Sequence, residues 1–261
     1  MKKTFLLVNL FVVGGVANGA ITAKEIDLSL YEKRLISQNG EDGVLQKIFK
    51  EIGTTNKYYV EFGAGDGHFC SNTKYFKEKY GWTGLLMDGA CSNNMADDIR
   101  INLHKEFITA DNICDLFRKY NVPKEIDLIS IDIDRNDFYV WMALCGEYRP
   151  RVVVIEFNSC FNLDEDLVIA YDGSSMWNGT QHTGASMLAL RNLGKKLGYS
   201  LVYQESAGVN LFFIRNDVLE KSGVTFKYVN DVRKLYTANP QSLYPYKEIF
   251  ISSEDAYSKN I

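Results

Sequence analysis

Lys57-Tyr58-Tyr59-Val60-Glu61-Phe62-Gly63-Ala64-Gly65-Asp66-Gly67 is the stretch that most narrows what this chain can fold into. Tyr58, Tyr59, Val60 and Phe62 favour a pleated backbone, and three glycines at alternate positions follow the acid Glu61. A buried strand running straight into a glycine turn belongs in an open α/β sheet, where ligands sit at the carboxyl ends of the strands. The spacing argues against a dinucleotide: that fingerprint needs G-x-G-x-x-G/A, and His68 stands where its third small residue belongs. Glu61 beside the turn would also repel a pyrophosphate.

The chain has 261 residues, enough for one large α/β domain and short for two. Its formal charge of −4 and the lack of a basic block exclude a nucleic-acid footprint. Met1-Lys2-Lys3, the apolar run Thr4 to Val16 and the small exit Ala17-Asn18-Gly19-Ala20 have the plan of a secretory signal peptide. Residues 1–23 are therefore expected to be a leader for export, periplasmic or secreted, or else an uncleaved membrane anchor, and 24–36 a linker. Cys70, Cys91, Cys114, Cys145 and Cys160 are odd in number and form no C-x-x-C pair. They suit scattered thiols better than a disulfide framework, and zinc spacing is absent.

In chain order, Ser37 to Gly43 is polar and precedes Val44, Leu45, Ile48, Phe49 and Ile52 at helical spacing. Ser37 or Asn39 can cap that helix; alternatively this segment lies near a ligand and brings Gln38 or Glu41 to it. Past the glycines, Ser71-Asn72 can cap a helix through Tyr80, and Leu85 to Asp88 reads as a second strand. Asp88 lies about twenty residues past the glycine turn, where an acid accepts ribose hydroxyls. A helix from Met95 to Leu103 is expected, then a third strand at Glu106 to Ile108. Asp111 follows it as either a ligand contact or a helix cap. The fourth strand, Ile126 to Asp134, would put Asp132 and Asp134 on one face. Carboxylates that close need a cation, donors or a shared proton. An amphipathic helix from Phe138 to Leu144 and a fifth strand from Arg151 to Asn158 come next. Phe157 to Thr183 reads as one long polar loop, a candidate binding loop. Ser186 to Leu197 reads as a helix, Leu201 to Ile214 as a closing hairpin, and 219–261 as a tail packed on the domain.

An acid beside a glycine turn suits the cationic amino group of S-adenosylmethionine, and the first motif looks like that of class I methyltransferases. Ser37 to Gly43, Val60 to Gly67, Asp127 to Asp134, Asn136-Asp137, Arg149 to Glu156, Gly184-Ala185-Ser186 and Gly208 to Phe213 together resemble an FkbM-like methyltransferase group. The resemblance spans residues 37–218. It implies a Rossmann-like class I methyltransferase fold: a mostly parallel seven-stranded sheet with helices on both faces and a C-terminal antiparallel hairpin. It further implies an S-adenosylmethionine-dependent O-methyltransferase whose acceptor is a hydroxyl-bearing small molecule or glycan. Gln38, Glu61, Gly63, Ala64, Gly65, Gly67, Asp88, Asp111 and Asp132 would hold the cofactor. Asp134, Asp137 and His182 are candidate bases for the hydroxyl proton. Arg135 stands where the relatives tend to have glycine, and the stretch from Trp177 to Thr183 is longer than theirs. A divalent metal on Asp132, Asp134 and Glu156 or Asn158 is an alternative route to an acidified hydroxyl and is not the expected one. The competing class is a non-catalytic secreted binding domain that keeps the fold.

Overall fold

The computed structural model describes residues 25–89, 97–144, 146–237 and 249–258. The leader, Met95, Cys91 and Cys145 lie outside them; Cys70 and Cys114 are free thiols, and Cys160 Sγ donates to Gln181 Oε1.

Helix α1 (Glu41–Ile52) buries Val44, Leu45, Ile48, Phe49 and Ile52 along one face. Asp42 Oδ2 closes its N-terminus by accepting the amides of Leu35, Ile36 and Ser37, and Ser37 Oγ accepts the Asp42 amide. Then come β1 (Tyr58–Phe62), α2 (Lys74–Tyr80), β2 (Thr83–Asp88), β3 (Leu103–Lys105), α3 (Ile113–Lys119), β4 (Glu125–Ile131) and α4 (Asp137–Leu144). β5 (Arg149–Glu156), α5 (Met187–Leu197), β6 (Tyr199–Gln204), β7 (Asn210–Arg215) and α6 (Asn216–Ser222) complete the domain.

The seven strands form one sheet in the order β3-β2-β1-β4-β5-β7-β6. β1 to β5 pair in parallel, and β7 is antiparallel to both β5 and β6. This is the expected Rossmann-like class I methyltransferase sheet with its closing hairpin. Ile126, Leu128, Ile129, Ile131 and Val152 to Ile155 are fully buried, as central strands covered on both faces require. α1 packs with α6, while α4 packs with both α3 and α5. The order reverses between β1 and β4, and that opens a crevice at their carboxyl ends.

Several local expectations are corrected. Residues 97–102 are a turn and not the end of a helix: Asp98 bridges Leu103, Arg100 hydrogen-bonds Asp98, and Asn102 is left-handed at φ +56°. β3 therefore begins at Leu103, opposite Leu86, and Glu106 to Ile108 lie beyond it. β4 ends at Ile131, which leaves Asp132 and Asp134 past the pleat, and β5 starts at Arg149 with Pro150 inside it. α4 is not amphipathic; Asp137, Phe138, Tyr139, Val140 and Trp141 are all buried, since the helix is covered on every side. The long loop is divided: Val168–Ile169 pairs with Phe250–Ile251, and Phe161 packs on Phe250. Residues 25–36 carry the short strand Glu25–Ile26, paired with Thr225–Phe226, and bury Leu28, so this supposed linker is attached to the domain.

Candidate active site

The crevice is built from strand ends. Gly63, Gly65 and Gly67 all have positive φ, which coils the chain after β1 into a turn closed by the Gly67 amide on the Ala64 carbonyl. The Gly65 amide donates to Asp88 Oδ2 at 2.7 Å, so the acid ending β2 holds the turn in place. Two cavities open here and share Gly63 and Asp132. One, about 230 Å³, is walled by Gln38, Glu41, Glu61, Ala64, Gly65, Asn72 and Asn210. The other, about 270 Å³, is walled by Asp88, Phe107, Ile108, Asp134, Asn136, Met176 and Trp177.

The first cavity is lined by acceptors. Glu61 is buried, and Ser71 Oγ and Thr73 Oγ1 donate to its Oε2 while the Asn72 amide donates to Oε1. Its first task is thus to hold the loop before α2, with acceptor capacity left only on Oε1. Burial raises its pKa, against the lowering by those donors. Asn72 Nδ2 donates to Ser130 Oγ, and Asn72 Oδ1 is buried with no partner. Glu41 accepts from the Asn39 amide and from Asn210 Nδ2. An orphaned carbonyl oxygen among carboxylates suits a ligand that brings a donor, such as an ammonium group. The neighbouring cavity adds Asp88 and the apolar walls Phe107, Ile108, Met176 and Trp177.

Asp132, which both cavities share, Asp134 and Glu156 bring carboxylate oxygens within 4.8 Å of one another. The gathering is made by a turn, with Asp134 left-handed at φ +67°, and not by strand alternation. Two unit charges about 5 Å apart repel by about 3 kcal/mol at an effective dielectric of about 20. Burial first, then the charges of Asp137 and Asp134, hold Asp132 well above the usual carboxylate range. Glu156 is raised in the same way, by burial and then by Asp132 and Asp137. Asp134 is raised by burial and by Asp88. Asp137 accepts the Ile133 amide at Oδ1, and burial pushes it up to about 7.

The remaining residues singled out in the sequence are dispersed. Asp111 is exposed and its side chain is not the cap of α3, whose N-cap is Asn112; its Oδ2 accepts from Tyr171 OH at 2.6 Å. The His182 carbonyl accepts from Arg135 Nη1, and the residue is not among those walling either cavity. Asn158 Nδ2 donates to the Gln181 and Thr183 carbonyls of the same segment, while its Oδ1 accepts the nearby Cys160 amide. Asn72 and Asn210 are site residues that sequence reasoning missed; the one signal was a helix-cap position for Asn72 and a place in the Gly208 to Phe213 motif for Asn210. A larger cavity, about 740 Å³, lies between residues 30–33, α1 and α2. It has lysines and aromatics but neither the glycine turn nor the strand-end acids.

No protein-family model matches the chain, and no curated protein matches it in sequence. Solved structures do. An O-methyltransferase family protein from Burkholderia thailandensis is 10% identical, with 67% of this chain and 57% of that chain covered and a TM-score of 0.37. The MycE methyltransferase of mycinamycin biosynthesis, in complex with Mg and SAH, is 15% identical over 75% of this chain and 56% of its own, with a TM-score of 0.44. A SAM-bound amino pentose methyltransferase from Micromonospora echinaspora is 12% identical over 70% of this chain and 99% of its own, with a TM-score of 0.34. The chain thus spans little more than half the length of the first two. At TM-scores below 0.5 none of these likenesses assigns an activity.

Proposed function

We propose that the chain is an S-adenosylmethionine-dependent O-methyltransferase of the FkbM-like type, acting on a hydroxyl of a sugar or glycosylated small molecule. The observation that carries this reading is the pair of cavities joined at Gly63 and Asp132, one rich in acceptors and the other ending on Asp88 between apolar walls. The methionine ammonium would face Asn72 Oδ1, Glu41 and Glu61, with Gln38 beside them. The adenosine would lie along Asp88, Phe107 and Ile108, and the glycine backbone leaves room between them. Asp111 walls neither cavity, and its Oδ2 accepts from Tyr171 OH.

When bound, the cofactor supplies an electrophilic methyl group on a sulfonium. The protein's contribution is alignment and removal of the hydroxyl proton. The acids past β4 stand where the cavities meet, so Asp134 is the first candidate to accept that proton and Asp137, with its raised pKa, the second. Trp177 and Met176 are exposed beside them and offer a flat apolar face to an acceptor. The leader pattern supports export and rests on sequence alone.

The test is calorimetric titration of the full chain with S-adenosylmethionine and S-adenosylhomocysteine, repeated on Asp88→Ala. Stoichiometric binding that the variant loses supports the reading. A folded protein that binds neither ligand sinks it.

A further inference from the structure

We propose that the cavity of about 740 Å³ between residues 30–33, α1 and α2 binds an amphiphilic phosphate monoester, with the apolar chain on Phe49, Phe76 and Trp82 and the phosphate beside Lys33, Lys50 and Lys57. Lys57 and Trp82 immediately precede β1 and β2. The site therefore lies at the amino ends of the strands, away from the crevice, and does not rest on the methyl-transfer reading.

The cavity is held in shape on every side. α1 lines it with Gly43, Gln46, Lys47 and Lys50, which share one face at helical spacing. Residues 31–33 lie flat on that helix. The Lys33 amide donates to the Gly40 carbonyl, the Lys33 carbonyl accepts the Gly43 amide, and a β-carbon on Gly43 would stand 2.0 Å from the Tyr31 carbonyl oxygen. Tyr80 OH reaches from the end of α2 to Gln46 Oε1 at 3.3 Å. The floor is three buried rings packed edge to face, Phe49, Phe76 and Trp82, with centroids 4.9 to 5.7 Å apart. The volume falls within the range of sites for small organic molecules, about 300–1,000 Å³.

The charge around this cavity is opposite to that of the chain. Four lysines and one glutamate line it, in a chain of formal charge −4. Glu32 is engaged with the closing hairpin: Tyr203 OH and the Ser206 amide donate to its Oε1, and Ser206 Oγ donates to its Oε2. Lys47 is paired with Glu51, and its Nζ lies 4.8 Å from the centre of the Tyr31 ring. Lys33, Lys50 and Lys57 are exposed, and none of the three has an ion-pair partner among the described residues. Exposed ammonium groups above a buried aromatic floor make a cationic rim over an apolar base, the complement of an anionic amphiphile. Three such groups suit a head with close to two negative charges, which a phosphate monoester carries and a carboxylate does not. Leu30, 77% exposed on the same wall, continues the apolar track outward for the rest of a chain.

The experiment is calorimetric titration of the full chain with decyl phosphate, kept below the concentration at which it forms micelles, beside titrations with inorganic phosphate and with decanol. S-adenosylmethionine is left out, so failure of the cofactor site and failure of this one are read separately. One saturable decyl phosphate per chain is expected, with inorganic phosphate and decanol each weaker by more than about tenfold. The combined variant Lys33→Gln, Lys50→Gln, Lys57→Gln should keep the parent's thermal melt, since these side chains are exposed. It should bind decyl phosphate more than about tenfold more weakly and decanol as before. Sedimentation with phosphatidylcholine vesicles, with and without phosphatidic acid, separates the two sources of such a ligand. Recruitment that needs both phosphatidic acid and the three lysines assigns the site to a bilayer lipid; recruitment indifferent to the lysines, beside lysine-dependent binding of decyl phosphate, assigns it to a free amphiphile. Absence of saturable decyl phosphate binding by the folded parent, equal binding of decanol or of inorganic phosphate, or an affinity unchanged in the variant overturns the proposal.

Discussion

Gly63 lies directly under the backbone of Asp132: a β-carbon on Gly63 would stand 1.7 Å from the Asp132 carbonyl oxygen. The glycine turn after β1 and the acid turn after β4 are therefore one assembly, and the crevice between them exists only while position 63 has no side chain. Gly63→Ala would combine that overlap with an unfavourable φ of +64°. We expect it to cost roughly 2 kcal/mol or more and to abolish cofactor binding in the molecules that stay folded. Thermal melts and cofactor calorimetry on the same sample check both halves.

At the opposite end of the strands, the fully buried Asp127 accepts the amides of Thr55 and Lys57 and the guanidinium of Arg151 at 2.6 Å. Arg151 in turn donates to the carbonyls of Ile52 and Gly53, and this ties the end of α1 to β1, β4 and β5. Removing one partner leaves a buried charge alone, so Asp127→Ala should cost about 3–5 kcal/mol. Cofactor affinity per folded molecule should be unchanged, since no residue of this cluster reaches the crevice. Urea denaturation followed by calorimetry below the transition reads the two effects separately.

How far the sequence foretold this arrangement depends on how local each signal is. β1, β4 and β5 were legible because a strand covered on both faces is an uninterrupted apolar run, and Gly63, Asp88 and Asp132 because they end such runs. β3 was misplaced by three residues: it is a short edge strand, Leu103-His104-Lys105, with no apolar run, and its register is set by Leu86 and Met87. The pairing of Tyr171 with Asp111 spans 60 positions and has no local signature. The gathering of Asp132 with Asp134 was foreseen for the wrong reason, since β4 ends at Ile131 and a left-handed turn, not the pleat, carries them. Asn72 is the instructive omission. It reads as a helix cap, and only the fold shows its Oδ1 orphaned among acids.

Trp177 is 55% exposed, and its indole Nε1 donates only to the nearby Thr180 carbonyl. Little of the core depends on it, so Trp177→Ala should change stability by no more than about 0.5 kcal/mol. It does wall the cavity that holds Asp88 and Asp134, and loss of a ring from such a wall should weaken ligand binding there by about tenfold. An unchanged melt with a raised acceptor KM, once an acceptor is found, is the expected pair of results. A large drop in melting temperature would show that the indole supports the fold.

Glu61 sets a sign for the pH dependence of stability. Burial raises its folded pKa above the ordinary 4.5, so between that value and the raised one the native state binds more protons than the unfolded chain. The stabilisation linked to this proton is complete below about 4.5 and is lost as pH rises through the folded pKa. Acidification from neutrality toward pH 5 should therefore strengthen the fold through this residue, opposite to the usual carboxylate trend. Glu61→Gln has no such proton to bind. It should be less stable than the parent at pH 5, because one acceptor for Ser71 and Thr73 or for the Asn72 amide is replaced by a donor. It should also show a flatter profile from pH 5 to 8. Parallel chemical melts of the two proteins across that range decide the matter. Equal slopes would mean that Glu61 is ionised in the native state throughout, with the Ser71, Asn72 and Thr73 donors outweighing the burial that raises it.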